Sequence, residues 1–203
     1  SLRMGLRQQN TFEECILDAL AWLCFLRGAG TKEIVLVGNA RGAAVAIASA
    51  ALHPQVKAVV AISPQQDDTD MVGRIGPRPI LVMHGGRDNR VPVEVAQDVY
   101  SRASEPKELV IFPNGSATLL ESRGELHEKL GGWASQQLGL TDAYLAAMQA
   151  RSNDYPDIPC QLSQNRASRK RFLLIKILNS GRILCNRLQE SESTVTRILF
   201  KAN

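Results

Sequence analysis

Two hydrophobic periods share the first 140 residues of this chain. Over residues 12–27 the apolar positions Ile16, Leu20 and Leu23 recur at helical spacing, with Leu17 and Cys24 beside them, which predicts an amphipathic helix. Thr11 followed three residues later by Glu14 is a capping-box pattern at its start, and Gly28 suits its end. Short continuous apolar runs follow at residues 34–37, 56–62, 79–84 and 108–112. Each has strand length and reads as a buried strand. The alanine-rich stretch 41–52, closed by His53-Pro54, and the stretches 93–103 and 119–138 read as helices. Strand and helix alternate four times, which argues for an α/β fold: a mostly parallel sheet with helices on both faces.

The last quarter of the chain has a different character. Residues 152–171 are polar and mixed, ending in Arg169-Lys170-Arg171. Residues 172–178 are apolar apart from one lysine, Asn179-Ser180-Gly181 reads as a turn, and residues 182–188 read as a strand that pairs back in a hairpin. Charge divides the same way. Residues 1–150 hold 14 Lys+Arg and 16 Asp+Glu; residues 151–203 hold 10 and 4. The expected organisation is one α/β domain over 1–145 and a basic tail or small appended segment over 146–203, with a poorly ordered tail the plainest reading.

Candidate chemistry centres on residues 34–42, Ile-Val-Leu-Val-Gly-Asn-Ala-Arg-Gly. An apolar strand enters a turn bracketed by Gly38 and Gly42, and a helix leaves it. That is the frame of a nucleophile elbow, in which a catalytic serine is lifted above the sheet. The tip residue is Ala40, which has no oxygen with which to attack a carbonyl. An ordinary βα loop with two glycines would look the same in isolation. Gly38, Arg41 and Gly42 are the candidate binding residues here, because the start of the helix offers backbone N–H groups to a small carboxylate or phosphate.

Downstream residues favour the elbow. His84-Gly85-Gly86-Arg87-Asp88-Asn89-Arg90-Val91-Pro92 follows the third strand, and Phe112-Pro113-Asn114-Gly115-Ser116-Ala117-Thr118 closes the fourth. With these, the chain from about Thr11 to Leu138 resembles the α/β-hydrolase superfamily, most closely its small cap-free esterase and serine-peptidase-like members. The resemblance implies a triad in the order nucleophile, acid, histidine. It puts the nucleophile position at Ala40, the acid at Asp88 and the histidine position at Ala117. Two of three positions are then alanine. Asp88 alone can neither attack nor relay a proton; holding its own turn through the backbone is an equal reading of it. Ser63, Ser116, His53, His84 and His127 supply no second serine–histidine pairing.

The resemblance also implies strands ahead of residue 34 that carry an oxyanion-hole loop, whereas one helix precedes it here. The chain reads as the C-terminal half of the fold. The uncharged run Ile34-Val35-Leu36-Val37 would then lie at an open sheet edge, where self-association is expected ahead of cover by the tail hairpin.

Composition narrows the function classes. The 44% hydrophobic content supports a core. Cys15, Cys24, Cys160 and Cys185 form no zinc or CxxC spacing, so no metal site or cofactor is expected and a reducing, cytoplasmic setting is the default. No run is long enough to span a bilayer, and three basic residues without an aromatic platform do not make a nucleic-acid site. The expected function is an α/β-hydrolase-fold protein related to serine ester or peptide hydrolases and catalytically inactive, whether as a pseudoenzyme, an inactivated variant or a truncated form. Arg41 beside the tip is unusual for a simple engineered serine knockout and leans towards natural degeneration. The alternatives are a scaffold that binds an ester- or amide-like small molecule or a protein in the remnant pocket, and an active hydrolase whose nucleophile lies elsewhere.

Overall fold

The computed structural model describes residues 11–66 and 68–139, and three strands within 171–199. Helix α1 (Phe12–Gly28) starts as its sequence dictates. Thr11 Oγ1 accepts from the Glu14 N–H at 3.2 Å, and Glu14 Oε2 accepts from the Thr11 N–H at 2.7 Å, satisfying two donors that the first turn would otherwise leave bare. The helix ends with Gly28, as expected. Ala29 caps it and Gly30 takes the left-handed conformation at φ 84°, which glycine adopts without penalty. Its buried face is Cys15, Ala19, Leu23 and Leu26; Ile16 and Leu20 are half-buried, and Leu17 is exposed. The predicted face is thus rotated by about one residue, since positions such as 15, 19, 23 and 26 share the stripe that meets α2.

Strands β1 (Glu33–Asn39), β2 (Val56–Ile62), β3 (Ile80–Gly85) and β4 (Lys107–Phe112) pair in parallel, in the spatial order β4-β3-β2-β1. Alternation sorts their side chains onto two cores. Ile34, Leu36, Val59, Ala61, Ile80 and Val82 pack with α1, α2 (Arg41–Leu52) and α3 (Val93–Arg102). Val35, Val37, Ala58, Val60, Leu81 and Met83 pack with α4 (Arg123–Leu138). Helices therefore cover both faces, as a parallel sheet with near-continuous apolar strands requires. In α2 every residue from Gly42 to Ala50 is buried, because it is wedged between α1 and the sheet; the alanine run suits so narrow a space.

Helix α4 is shorter than expected from residues 119–138. Leu119 takes φ 54°, which no helix tolerates, and buries its side chain beside Gly115 instead. The helix begins four residues later.

The open edge expected on β1 is occupied. Strand β5 (Arg171–Ile177) pairs in parallel with it, Glu33 opposite Phe172 through Gly38 opposite Ile177. Strand β6 (Ile183–Gln189) returns antiparallel on β5, and β7 (Thr196–Leu199) follows on β6. The predicted hairpin is thus present and the sheet has seven strands. Of the tail expected over 146–203 to be poorly ordered, residues 171–177, 183–189 and 196–199 form β5, β6 and β7; the rest of it, with the expected turn at Asn179-Ser180-Gly181 and Cys160, lies outside the described residues. None of the described helices is long and apolar enough to cross a membrane.

Candidate active site

The candidate residues hang from the carboxyl ends of the sheet, where open α/β sheets place their ligands. Neighbouring strand ends are stitched together by backbone hydrogen bonds. The Ala40 N–H donates to Ile62 O at 2.9 Å, Ser63 N–H to Met83 O at 2.7 Å, Gly86 N–H to Phe112 O at 2.8 Å and Arg87 N–H to Gly115 O at 2.9 Å. The sequence-predicted positions thus share one rim: Ala40 follows β1, Asp88 follows β3 and Ala117 follows β4.

The elbow is present in full. Gly38 cannot carry a side chain, since a Cβ there would stand 2.0 Å from Gly42 O and 2.6 Å from Ala43 Cα. Ala40 itself adopts φ 52° and ψ −121°. A residue with a Cβ pays roughly 1–3 kcal/mol to sit in such a sparsely populated region. Ala40 thus sits in a strained strand-to-helix turn, and its side chain carries no oxygen. Ala40→Gly is expected to raise stability by about 1 kcal/mol, the released strain being partly offset by the greater freedom of glycine in the unfolded chain. A shift of the urea midpoint upward at constant slope would show it; destabilisation would mean that the Ala40 methyl packs usefully.

The dienelactone hydrolase family matches residues 3–126. The chain belongs to this family. Solved structures agree on the fold. The esterase domain of a Rhodothermus marinus protein is 24% identical at a TM-score of 0.55, over 60% of this chain and 68% of that one. Est1E from Butyrivibrio proteoclasticus is 15% identical at 0.59, over 64% and 72%, and a monoacylglycerol lipase of Paleococcus ferrophilus is 15% identical at 0.57, over 66% and 78%. The uncharacterised protein YfhR of Escherichia coli is 36% identical over 44 residues, 22% of this chain and 16% of its own length. The match thus spans about a sixth of that relative.

Within this family member, Asp88 performs the turn role. Its Oδ1 accepts from the Arg90 N–H at 2.8 Å and the Val91 N–H at 3.0 Å, which fixes the carboxylate in a tight turn. Its side chain is 2% exposed, and Oδ2 stands 3.7 Å from His84 Nε2. That ring is wholly buried and its Nε2 lies 3.0 Å from Val91 O, so His84 braces the same turn from below.

The loop after β4 lies against this turn. A Cβ at Gly85 would meet Gly115 O and Ser116 O, each at 2.5 Å. Ala117 is thereby held beside the acid loop, and glycine is required at 85 for the two loops to touch. Ser116 Oγ donates to Glu121 Oε2 at 2.8 Å, and the Ser116 N–H reaches the same oxygen at 3.2 Å. These bonds, with the Glu121 backbone N–H foremost, hold the Glu121 carboxyl below its ordinary pKa. A lowered folded-state value means that its ordering effect is complete above the unfolded value and is lost as pH falls through the folded one. The protection factor of the Ser116 amide, its exchange corrected for the intrinsic pH dependence, is expected to fall as pH drops through the lowered folded-state pKa of Glu121, and Glu121→Gln to remove that acid-side step. Unchanged pH dependence in the variant would place the effect elsewhere.

Sequence reasoning missed Glu121, whose partner is five residues away in a loop of no regular period. It also missed Arg78. The Arg78 guanidinium donates to Ala50 O and, at 3.1 Å, to His53 O, and its Nε donates to Ile75 O at 2.7 Å. It closes the carbonyl end of α2, which suits a cation. His53 does not act as that cation: burial first, and Arg27 second, push its pKa down. Arg41 is felt at Cys15 of α1, where its charge opposes the upward push of burial on the thiol. Its charge therefore acts towards α1 and is not confined to the rim. Among the described residues no cluster of His, Cys, Asp or Glu is arranged to hold a metal ion.

Proposed function

We propose that this chain is a dienelactone hydrolase family protein related to serine ester and peptide hydrolases that has lost hydrolytic activity and acts without turnover. The observation that carries the reading is Ala40 at φ 52° and ψ −121°: the nucleophile's backbone, without a nucleophile. Ala117 at the histidine position and Asp88 as a remnant acid complete it. Residues 1–145 form the hydrolase-like unit in this reading and residues 146–203 the appended segment, and the thiols of Cys15 and Cys24 suit a reducing, cytoplasmic setting.

A fluorophosphonate probe, which labels activated serines, tests this directly. No labelling is expected. Stable modification mapped to Ser63, Ser116 or any other serine would overturn the reading and identify the nucleophile of an active hydrolase.

A second reading, a small-ligand scaffold, draws on two features of the rim. Helix α2 begins without a side-chain cap. Ser63, which ends the neighbouring strand at φ 44°, has a buried Oγ without a hydrogen-bond partner. Gly38, Arg41 and Gly42 would form the cradle for an ester- or amide-like molecule.

A further inference from the structure

We propose that the outer edge of β1 is a strand-acceptor site whose resident is this chain's own segment Arg171–Ile177, and that a second copy of the chain takes the edge when that segment is withdrawn. The edge could not be left bare. Ile34, Val35, Leu36 and Val37 are at most 1% exposed and packed on both faces, so the strand is fixed in place and its outward N–H and C=O groups form a rigid, apolar template. Such an edge recruits another strand.

The pairing with β5 answers this need in three ways. It continues the parallel sense of the four strands beside it, without a break in register across six residue pairs. It matches an uncharged stretch, Phe172-Leu173-Leu174-Ile175, to the uncharged stretch of β1. It also moves the end of the sheet outward, through β6, to the four-residue strand β7, which carries Arg197. Short edges bearing charge are poor templates for further pairing. At the other end, β4 begins with Lys107 and Glu108 and follows Pro106, a residue with no N–H to offer. With the tail docked, both ends of the sheet are blunt. Without it, one end is β1, whose residues Ile34 to Val37 are uncharged and buried on both faces.

The connection explains why docking is within one chain and also why exchange is open to it. Leu138 ends α4 and Arg171 begins β5, so 32 residues (171 − 138 − 1) lie between them. Docking of a segment of the same chain is intramolecular, and effective concentrations for such pairing reach the order of millimolar, far above a micromolar concentration of other copies. Docking in cis prevails until the strand is damaged. A damaged strand leaves the edge of β1 open to the same edge of another molecule, an isologous contact of the kind by which identical protomers pair.

Two experiments on the full chain test this. In the first, Glu33→Cys is combined with Phe172→Cys, an in-register pair, and, as control, with Leu174→Cys, two residues further on. Mild oxidation followed by peptide mapping is expected to give a 33–172 disulfide at monomer mass and little 33–174 disulfide. No 33–172 bond, equal yields in both variants, or a bond found only between copies would overturn docking in cis. This arm does not depend on a disruptive substitution. In the second, Leu174→Pro is made to withdraw the strand. The expected result is concentration-dependent self-association in sedimentation velocity and, at dilutions where the variant is monomeric, exchange on the order of 100-fold faster at those amides of residues 34–38 that point away from β2. A synthetic peptide of residues 170–189 should restore both towards wild type. A monomeric Leu174→Pro variant with slow exchange at residues 34–38 would show that the edge needs no strand, and would sink the proposal.

Discussion

p-Nitrophenyl acetate is expected to be hydrolysed no faster with this protein than in buffer. The chemistry requires an oxygen at residue 40 and a base at residue 117, and both side chains are methyl groups. Asp88 cannot stand in for either, since one of its oxygens is tied to two backbone N–H groups. In a studied protease, loss of the triad left about 1,000- to 10,000-fold catalysis over water, drawn from the oxyanion hole and from binding. That remainder needs a complete hole. In the proposed reading the elbow provides one side of such a hole, and the flank of β1 from which the other would come is occupied by β5. Background turnover is therefore the expected result for the wild type and for Asp88→Asn alike. Turnover that vanishes in Asp88→Asn would mean that Asp88 still serves a nucleophile and a base at other positions.

How much of this was legible beforehand differs between scaffold and site. The four parallel strands were readable because each holds a short apolar run, too short for a helix; β1, β2 and β3 are largely buried on both faces, whereas β4 is mostly half-buried. Boundaries failed where tertiary contacts overrode local pattern. The helical pattern from residue 119 onward continues in sequence, but Leu119 is drawn out of it to fill the space beside Gly115. In α1 the stripe is set by where α2 lies, which periodicity alone cannot give. The tail hairpin was visible from its turn residues, and its partner was not: nothing local to residues 171–177 says that they belong beside a strand some 140 positions earlier.

The candidate site shows the same division. The tight turn at Gly38 and Ala40 was readable because a strand-to-helix turn of this kind is a local device, with one residue between β1 and α2. The conformation at Ala40, φ 52° and ψ −121°, is what that device requires. The bonds of Asp88 to the Arg90 and Val91 N–H groups follow from the short reach of an aspartate in a turn. Glu121 and Arg78 were invisible. Each satisfies groups exposed by the way loops and helix ends meet, and such meetings leave no mark in spacing.

Restoring Ala40→Ser and Ala117→His together is expected to return only weak hydrolysis. The backbone at residue 40 is already in the conformation that presents a nucleophile, and the loops carrying residues 88 and 117 are hydrogen-bonded side by side through Arg87 and Gly115. A serine, a histidine and Asp88 Oδ2 would thus gather on one rim. The shortfall lies across the elbow. In this fold class the second oxyanion donor comes from a loop on the far side of the nucleophile strand, and here that flank is taken by β5, a strand from the C-terminal segment. One missing donor costs about 100- to 1000-fold in kcat. Against a typical enzymatic kcat of about 10 per second, the double variant should fall at or below roughly 0.1 per second. A burst of p-nitrophenol with slow turnover would fit, since acylation without an efficient hole still consumes the first equivalent. Sustained turnover near 10 per second would show that the far flank of β1 does supply a donor, and that the two alanines alone separate this chain from an active hydrolase.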